Sequence, residues 1–300
     1  MSPIVIESLS KVYRGKKGAQ VEALKGLSLT VKSAEVVGFL GPNGAGKSTT
    51  IKTLMGQIRP TGGSVKLFGM PADNTAARIR VGYLPENPAF YAFLTAQEYL
   101  ALVGGVFGMD KSSIVRETER VLDLLDLTAA ARRPIRGYSK GMVQRLGLAQ
   151  TLLHDPDLYV LDEPMSGLDP VGRALVKDLI LDLKKQGKTI FFSTHVVADV
   201  EAICDRVAIV VHGELRAENT VDEITAAGIA GYHVHLEQAV PPALQEFCPE
   251  DSPQNNPELY VPRQKLHQFM HQLSQAGCDI SLIEPKRKSL EDFFLQIIGK

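Results

Sequence analysis

A glycine-rich run that ends in lysine and serine is the part of this sequence that points most directly to chemistry. Residues 41–48 read G-P-N-G-A-G-K-S. Glycines let successive backbone N–H groups turn inward onto an anion, and a helix beginning there adds positive partial charge. The lysine can then reach the outer phosphates of a nucleotide, and the serine can hold Mg²⁺. The predicted phosphate-binding loop comprises Gly41, Pro42, Asn43, Gly44, Ala45, Gly46, Lys47, Ser48 and Thr49.

The segments around this loop have the order that such a loop requires. An apolar run at 36–40 predicts a buried strand, and residues 48–55 predict the helix that follows the loop. Three more apolar runs predict strands and alternate with helical stretches, at 158–161, 190–192 and 207–211. Strands alternating with helices predict an α/β fold with a mostly parallel sheet.

Two acidic residues stand at the end of one of these strands, at Asp162 and Glu163. A carboxylate at the C-terminal end of a parallel strand faces the crevice where ligands bind. Asp162 is predicted to hold Mg²⁺ directly or through water, and Glu163 to orient and polarise an attacking water. With the loop, these acids predict a P-loop nucleotide hydrolase. The sequence lacks an N-K-x-D motif for guanine, which argues against a GTPase.

Four further segments resemble, in the same order along the chain, the ATP-binding-cassette (ABC) family. Residues 138–142 (Y-S-K-G-M), followed by Q-R-L, are similar to the family signature. Residues 166–169 (S-G-L-D) resemble the D-loop, and 193–195 (S-T-H) resemble the strand end that carries the switch histidine. Residues 83–87 (Y-L-P-E-N) stand where the family has its Q-loop. The resemblance covers about residues 4–225.

This resemblance implies the fold of a P-loop NTPase with ABC cassette architecture. It comprises a mostly parallel sheet core, an antiparallel β part near the N-terminus and a helical signature subdomain at about 87–155. Two such cassettes bind two Mg-ATP between them, head to tail. The signature, which faces the phosphate loop of the other chain, would be Ser139, Lys140, Gly141 and Met142. His195 would contact the γ-phosphate and Asp169 would link the two sites. Tyr13 would stack on adenine, or is simply an exposed tyrosine at a strand end.

Two positions depart from the usual family pattern. Glu86 replaces the Q-loop glutamine, and Lys140 replaces the first signature glycine. Glu86 can still ligate Mg²⁺ or its water but adds negative charge near the phosphates. Both changes resemble the branch that serves type-2 ABC exporters, and residues 289–295 (S-L-E-D-F-F-L) are similar to an ending common in that branch. The resemblance therefore implies the ATPase subunit of an exporter.

Composition constrains the partners and the compartment. The chain has 33 Lys and Arg against 34 Asp and Glu, so its charge gives no reason to expect nucleic acid as the main partner. Three cysteines without a C-x-x-C motif favour a reducing compartment. No run of 18 apolar residues is present. We therefore expect a cytoplasmic chain, held at the inner face of the cell membrane by an integral membrane permease. A second cassette chain completes the dimer; a homodimer would have two competent sites, and a heterodimer remains open.

The composition changes after about residue 228, which divides the chain into a cassette at 1–228 and a small α+β appendage at 229–300. Six prolines between 241 and 262 predict a loop without regular structure. Beyond it, apolar spacing predicts a helix from Leu266, a strand at 280–283 and a last helix at 289–298.

Two features of the sequence have more than one interpretation. Phe90, Tyr91 and Phe93 follow the Q-loop segment and belong either to the core of the helical subdomain or to a groove that seats a helix of the membrane partner. His233 and His235 would share one face of a strand, and His267 and His271 one face of a helix. No acid or cysteine at matching spacing completes a metal site with either pair.

Two alternative functions remain open at this point. The tail histidines suggest a cassette that serves an assembly or metal-processing system, including copper insertion. A soluble ABC ATPase acting on ribosomes or DNA is the other alternative. Proteins of that kind usually carry two cassettes or a long coiled-coil insertion, and this sequence has one cassette and no sustained heptads.

Overall fold

The computed structural model describes residues 2–14, 20–225, 229–249, 258–287 and 289–299. The chain divides into two compact units, Met1–Val221 and Asp222–Lys300. The predicted domain boundary after residue 228 falls at 226–228, outside the described residues. In the first unit the strands are β1 (Ile4–Arg14), β2 (Gln20–Val31), β3 (Val36–Leu40), β4 (Gly62–Leu67), β5 (Met70–Pro71), β6 (Val81–Leu84), β7 (Leu158–Asp162), β8 (Thr189–Thr194), β9 (Arg206–Val211) and β10 (Glu214–Thr220).

Helices lie between these strands in the order that the sequence predicts. They are α1 (Lys47–Leu54), α2 (Thr75–Arg78), α3 (Ala96–Val106), α4 (Lys111–Leu124), α5 (Lys140–Leu152), α6 (Pro170–Lys185) and α7 (Val197–Ile203), with α8 (Val221–Thr225) beginning at the last residue of the first unit. The described residues contain no helix that is both long and apolar enough to cross a bilayer.

The central sheet has six strands in the order β10-β9-β3-β8-β7-β6. The strands from β9 to β6 run parallel, and β10 pairs antiparallel with β9. Every residue of β3, β7 and β8 is buried, as expected for parallel strands covered on both faces. β3, β8 and β7 are parallel neighbours, so their C-terminal ends lie at the same edge of the sheet. The loop at 41–48 follows β3, His195 follows β8 and the two acids stand at the end of β7, so all three come together at that edge.

A second sheet, in the order β2-β1-β4-β5, is antiparallel throughout. Ile4, Ile6 and Leu9 of β1 are buried and belong to the same hydrophobic core as Phe39 and Val160 of the central sheet. The fold prediction is confirmed: a mostly parallel core, an antiparallel sheet near the N-terminus and a helical segment.

The helical segment contains α3, α4 and α5, and its helix starts follow from sequence. Thr95 accepts a hydrogen bond from the Glu98 N–H, and the Glu98 side chain accepts one from the Thr95 N–H. This reciprocal capping fixes the first turn of α3. Asp110 caps α4 by accepting from the Ser113 N–H at 2.9 Å. One residue of each helix is fully buried: Leu100 of α3, Val121 of α4 and Leu146 of α5.

The second unit is an α+β fold built on a three-stranded antiparallel sheet in the order β12-β11-β13. Its elements are β11 (Ile229–Leu236), β12 (Leu259–Pro262), α9 (Leu266–Ala276), β13 (Ile280–Arg287) and α10 (Leu290–Ile298). The loop prediction for 241–262 is wrong in part, because residues 242–247 form a 3₁₀ helix and Leu259–Pro262 form β12; residues 250–257 lie outside the described residues. Leu244 and Phe247 of that 3₁₀ helix are buried against Phe269 of α9. This packing stabilises regular structure in a segment where the prolines alone predict none.

The tail histidines differ from expectation in one respect. Nδ1 of His233 lies 2.7 Å from Glu258, and Nε2 of His235 lies 3.8 Å from the same carboxylate. An acid, Glu258, therefore does lie beside His233 and His235. It is distant from them in sequence, so the spacing within one helix or strand cannot reveal it. Within the described residues, no three His, Cys, Asp or Glu side chains are arranged to hold one metal ion. His267 and His271 lie on an exposed face of α9.

Candidate functional site

The loop at 41–48 approaches its neighbours so closely that two of its glycines admit no other residue. A Cβ on Gly41 would lie 2.3 Å from the Val210 carbonyl oxygen of β9. Gly46 has φ +106°, and a Cβ there would lie 2.8 Å from the Ala23 carbonyl oxygen of β2. Within the described part of the chain, no side chain caps α1 at Gly46. The first N–H groups of α1 are thus available to an anion at the loop.

Lys47 is held at the centre of this loop. Only 6% of the residue is exposed, and its Nζ donates to the Gly41 carbonyl oxygen at 2.7 Å. The same nitrogen lies 3.4 Å from Oε1 of Glu163. The loop lysine and the acid after β7, 116 positions apart in sequence, are therefore ion-paired in the fold.

Asp162 ends β7 inside a network of hydroxyl donors. Ser193 of β8 donates to its Oδ1 at 2.5 Å, and Ser48 of α1 donates to the same atom at 3.4 Å. Burial raises the pKa of the Asp162 carboxyl, with the charges of Glu86 and Glu163 acting in the same direction and the two serine hydrogen bonds opposing them. A cation placed beside this carboxyl would act in the opposite direction and lower its pKa.

We expect Asp162→Asn to raise the melting temperature at pH 7 while it lowers Mg²⁺-dependent hydrolysis. The folded chain binds this proton more tightly than the unfolded chain does. Ionising Asp162 therefore lowers the free energy of unfolding as the pH rises from its ordinary pKa of 3.8 through the raised folded pKa. Asparagine has no such cost and still accepts from both serines. Mutating a residue that only supports a metal ligand typically lowers metal affinity by roughly 10–100-fold. We therefore expect the Mg²⁺ concentration for half-maximal hydrolysis to rise by at least about tenfold in Asp162→Asn.

Thermal unfolding without nucleotide or Mg²⁺, at a series of pH values, checks the first part. The gain in melting temperature should shrink as the pH falls toward 4. Asp73→Asn, at an exposed acid, is the matched control. A variant that melts below the wild-type chain at pH 7 would contradict the pKa argument.

Glu163 has an unusual backbone conformation. Its φ is +50°, in the left-handed region that non-glycine residues rarely adopt, and such positions cluster at functional sites. The Glu163 N–H donates to the Ser193 hydroxyl at 3.0 Å. Gln144 of α5 donates to the Glu163 and Pro164 carbonyl oxygens at 3.2 and 3.1 Å. The surrounding structure therefore fixes this residue from two sides.

His195 contacts the Glu163 carboxylate directly. Its Nδ1 lies 3.0 Å from Oε1 and 3.1 Å from Oε2. Because a carboxylate only accepts hydrogen bonds, Nδ1 carries the proton in this contact. Glu163 thus lies between Lys47 and His195, which is the arrangement of an acid oriented by a cation and an imidazole.

A cavity of about 320 Å³ opens onto the loop and is within the size range of small-molecule sites. Its lining is Ala23, Pro42, Asn43, Gly44, Ala45, Gly46, Lys47, Ser48, Thr49, Glu86 and Glu163. Glu86 reaches it because β6, which sequence analysis missed, pairs with β7 and ends at Leu84, two residues before Glu86. Ala23 of β2 is also new, since an alanine in a polar strand carries no sequence signal.

The signature segment lies at the start of α5. Ser139 caps this helix by accepting from the Met142 N–H at 3.3 Å. A Cβ on Gly141 would lie 3.6 Å from Leu168, and one on Gly167 would lie 2.6 Å from Cε of Lys140. The signature therefore packs on the D-loop segment of its own chain. Asp169 caps α6 by accepting from the Gly172 N–H at 2.8 Å.

Tyr13 lies near the end of β1, opposite Val21 of β2, and is 39% exposed. The register of β1 and β2 shifts between Lys11, opposite Leu24, and Val12, opposite Glu22, which places Ala23 at a β-bulge. Ala23 lines the cavity, whereas Tyr13 does not.

Comparison with known proteins agrees with this geometry. Residues 24–166 match the family model described as ABC transporter. An ABC transporter ATP-binding protein of Synechocystis is 42% identical over 292 residues, which is 96% of this chain and 82% of the relative. The chain belongs to the ATP-binding proteins of ABC transporters. It is accordingly an ATPase.

Two further comparisons cover the cassette and the full length. The bacitracin transport ATP-binding protein BcrA of Bacillus licheniformis is 34% identical over 309 residues, covering all of this chain and 98% of the relative. A solved structure of an ATP-binding subunit of an ABC transporter has a TM-score of 0.68 at 30% identity, covering 75% of this chain and 92% of that chain. The predicted family is confirmed, and with it ATP binding and hydrolysis. Cassettes of this family act as dimers on membrane subunits.

Proposed function

We propose that this cassette is the ATP-hydrolysing motor of a membrane exporter, working as a head-to-tail dimer on a separate integral membrane permease. The contact of Glu163 with both Lys47 and His195 is the observation that carries the proposal, because it joins the phosphate loop, the acid after β7 and the histidine after β8. A phosphate-transfer site needs these three roles in one place: charge neutralisation, water activation and phosphate sensing.

The residues around Asp162 suit a magnesium ion. The donors are the Ser48 hydroxyl and the Asp162 and Glu86 carboxylates, all hard oxygen ligands of the kind that Mg²⁺ prefers. The raised pKa of Asp162 also fits a group that is stabilised by a cation. We assign Mg²⁺ to these three residues; when bound, it would neutralise charge on the phosphates.

In the proposed mechanism, each residue acts from the position described above. The N–H groups of residues 43–49 and the Lys47 ammonium bind and neutralise the β- and γ-phosphates. Glu163 accepts a proton from the attacking water. His195 holds the Glu163 carboxylate through Nδ1 and contacts the γ-phosphate. Tyr13 stacks on the adenine from the side of β2.

The head-to-tail dimer is supported by what lines the cavity. Within the described residues, the lining does not include Ser139, Lys140, Gly141 or Met142. This lining supports a signature that is supplied by a second chain. We assign that role to Ser139 and the start of α5, and we assign the link between the two sites to Asp169. Because all the motor residues are present, two copies of this chain would form two competent sites.

We expect Ser139→Ala to weaken ATP-dependent dimerisation without weakening ATP binding to the monomer. A hydrogen bond to a charged group contributes roughly 1.5–3 kcal/mol, so losing one per site should raise the dimer dissociation constant by at least about tenfold. The measurement is analytical ultracentrifugation with ATP in a Glu163→Gln background. Ser289→Ala removes the serine cap of α10 and is the matched control. Equal losses of monomer binding and dimerisation would place the signature in the chain's own site and refute the assignment.

The aromatic segment after the Q-loop divides into two parts. Phe90 is partly buried and packs edge-on against Tyr99 of α3, with ring centroids 4.8 Å apart, so it contributes to the packing of the helical segment. Tyr91 and Phe93 are 58% and 73% exposed, with their rings 6.0 Å apart. We assign these two rings to the contact with a cytoplasmic helix of the permease, since exposed aromatic residues are typical anchors of interfaces.

We expect a Tyr91→Ser, Phe93→Ser variant to keep the melting temperature and basal ATPase of the isolated chain but to lose at least about tenfold in affinity for the permease, as for two anchor residues. Phe90→Ala should instead lower the free energy of unfolding by about 2 kcal/mol. Co-purification with the permease, together with thermal unfolding, separates the two effects. Retained binding in the Tyr91, Phe93 variant would rule out docking at this surface.

Export and location complete the proposal. The Pro-Glu at 85–86 and the Tyr-Ser-Lys-Gly-Met signature are features of the type-2 exporter branch. A full-length relative named for bacitracin transport supports a transported cargo. The cassette would lie in the cytoplasm, at the inner face of the membrane, bound through its permease. No arrangement in the described residues favours the copper alternative.

A further inference from the structure

A buried acid joins the two helices that begin beside the site. Asp199 of α7 is 2% exposed, and its carboxylate contacts two basic residues of α6. Nη2 of Arg173 donates to both of its oxygens, at 3.0 and 2.8 Å. Nζ of Lys177 lies 3.0 Å from Oδ1. A buried carboxylate is tolerated only when it is paired in this way, so the contact fixes α6 and α7 to each other.

Both helices begin directly after a residue of the proposed mechanism. Asp169 caps α6, so Arg173 lies one turn from the D-loop. His195 precedes Val196, the N-cap residue of α7, and Asp199 lies in the first turn of that helix. The ion cluster therefore links the helix that follows Asp169 to the helix that follows His195.

A second contact holds α7 against β3. A Cβ on Gly38 of β3 would lie 3.0 Å from both methyl carbons of Val200 and 2.9 Å from Sγ of Cys204. The helix therefore packs directly on the strand that leads into the phosphate loop. Two contacts therefore hold α7: Val200 packs on β3, and the neighbouring Asp199 is ion-paired with α6.

We propose that Asp199, with Arg173 and Lys177, is a positioning residue that sets His195 against Glu163 according to the position of the D-loop. A shift of α6 when a second chain binds at Asp169 is transmitted through the ion cluster to α7 and to His195. The proposal rests on the roles proposed above for His195 and Asp169. It adds that hydrolysis and dimer contact are coupled within one chain, through residues that touch no nucleotide.

The test is single-turnover hydrolysis of radiolabelled ATP, which resolves slow variants, together with binding of mant-ATP to the monomer. We expect Asp199→Asn to lower the hydrolysis rate by about 10- to 100-fold, because a misplacement of 1 Å at a catalytic group can cost that much. The monomer's dissociation constant for mant-ATP should stay within about twofold, since the phosphate loop lies on other elements. Asp182→Asn, at an exposed acid of α6 that pairs with Lys185, is the matched control and should change neither.

The decisive comparison uses a His195→Ala background. If Asp199 acts through His195, adding Asp199→Asn there should lower the rate by less than about twofold, because residues that act as a unit are not additive. The same loss in both backgrounds, or a parallel loss of mant-ATP binding, overturns the proposal. A wild-type rate for His195→Ala alone would instead refute the proposed role of His195, and this inference with it. If Asp199→Asn does not fold, Lys177→Gln can replace it in the same measurements. This variant keeps the Asp199–Arg173 pair, so we expect a smaller loss of hydrolysis rate.

Discussion

Replacing Glu163 with glutamine is expected to lower kcat for ATP hydrolysis by roughly 10²- to 10⁴-fold, the range for loss of a general base. Glutamine has the same shape and can still accept the hydrogen bond from Nδ1 of His195, so the geometry of the site is kept. It cannot take a proton from water. ATP should therefore remain bound and the closed dimer should accumulate.

Steady-state phosphate release and analytical ultracentrifugation with ATP measure the two halves of this prediction. Glu201→Gln, at an exposed acid of α7, makes the same chemical change away from the site and should leave both values as in the wild type. If Glu163→Gln hydrolyses ATP within about tenfold of the wild-type rate, Glu163 is not the general base.

Replacing Lys47 with alanine is the second change with a large expected effect, this time on binding. The Lys47 ammonium is buried, holds the Gly41 carbonyl oxygen and lies beside Glu163, so nothing else in the loop replaces its charge. Two charge-assisted hydrogen bonds to phosphate are worth roughly 3–6 kcal/mol together, and we expect Mg-ATP affinity to fall by at least about 10²-fold.

Isothermal titration calorimetry of the monomer measures this loss. Lys52→Ala is the control, because Lys52 is an exposed lysine on the same helix. The control should bind Mg-ATP as the wild type does, which separates the specific contact from the net charge of α1. An affinity of Lys47→Ala within about threefold of the wild type would mean that the loop does not bind the phosphates in the way described.

Local sequence was sufficient for the elements that carry their own signals. The strand at 36–40 and the loop after it were predicted because an apolar run and a glycine pattern each depend on neighbouring residues only. The reciprocal cap at Thr95 and the serine caps at Ser139 and Ser289 are local in the same way. β6 was missed because Val81–Leu84 is short and contains a glycine.

The parts of the site that sequence did not reveal depend on contacts between distant residues. In the sequence Ser193 is only part of the S-T-H segment, whereas in the fold it bridges Asp162 and the Glu163 N–H. In the sequence Gln144 belongs to the run that follows the signature, whereas in the fold its amide donates to the backbone carbonyl oxygens after β7. The left-handed backbone of Glu163 has no sequence pattern, because a glutamate adopts it only when its surroundings impose it.

The most direct test of the central claim is to identify what the trapped cassette binds in its own cells. Tagged Glu163→Gln chain, purified in detergent with ATP and analysed by mass spectrometry, should bring down a polytopic membrane protein in stoichiometric amount. The same protein should be absent when Tyr91→Ser and Phe93→Ser are added. Recovery of ribosomal proteins or DNA, or of no membrane protein, would contradict the exporter account and favour a soluble ABC ATPase.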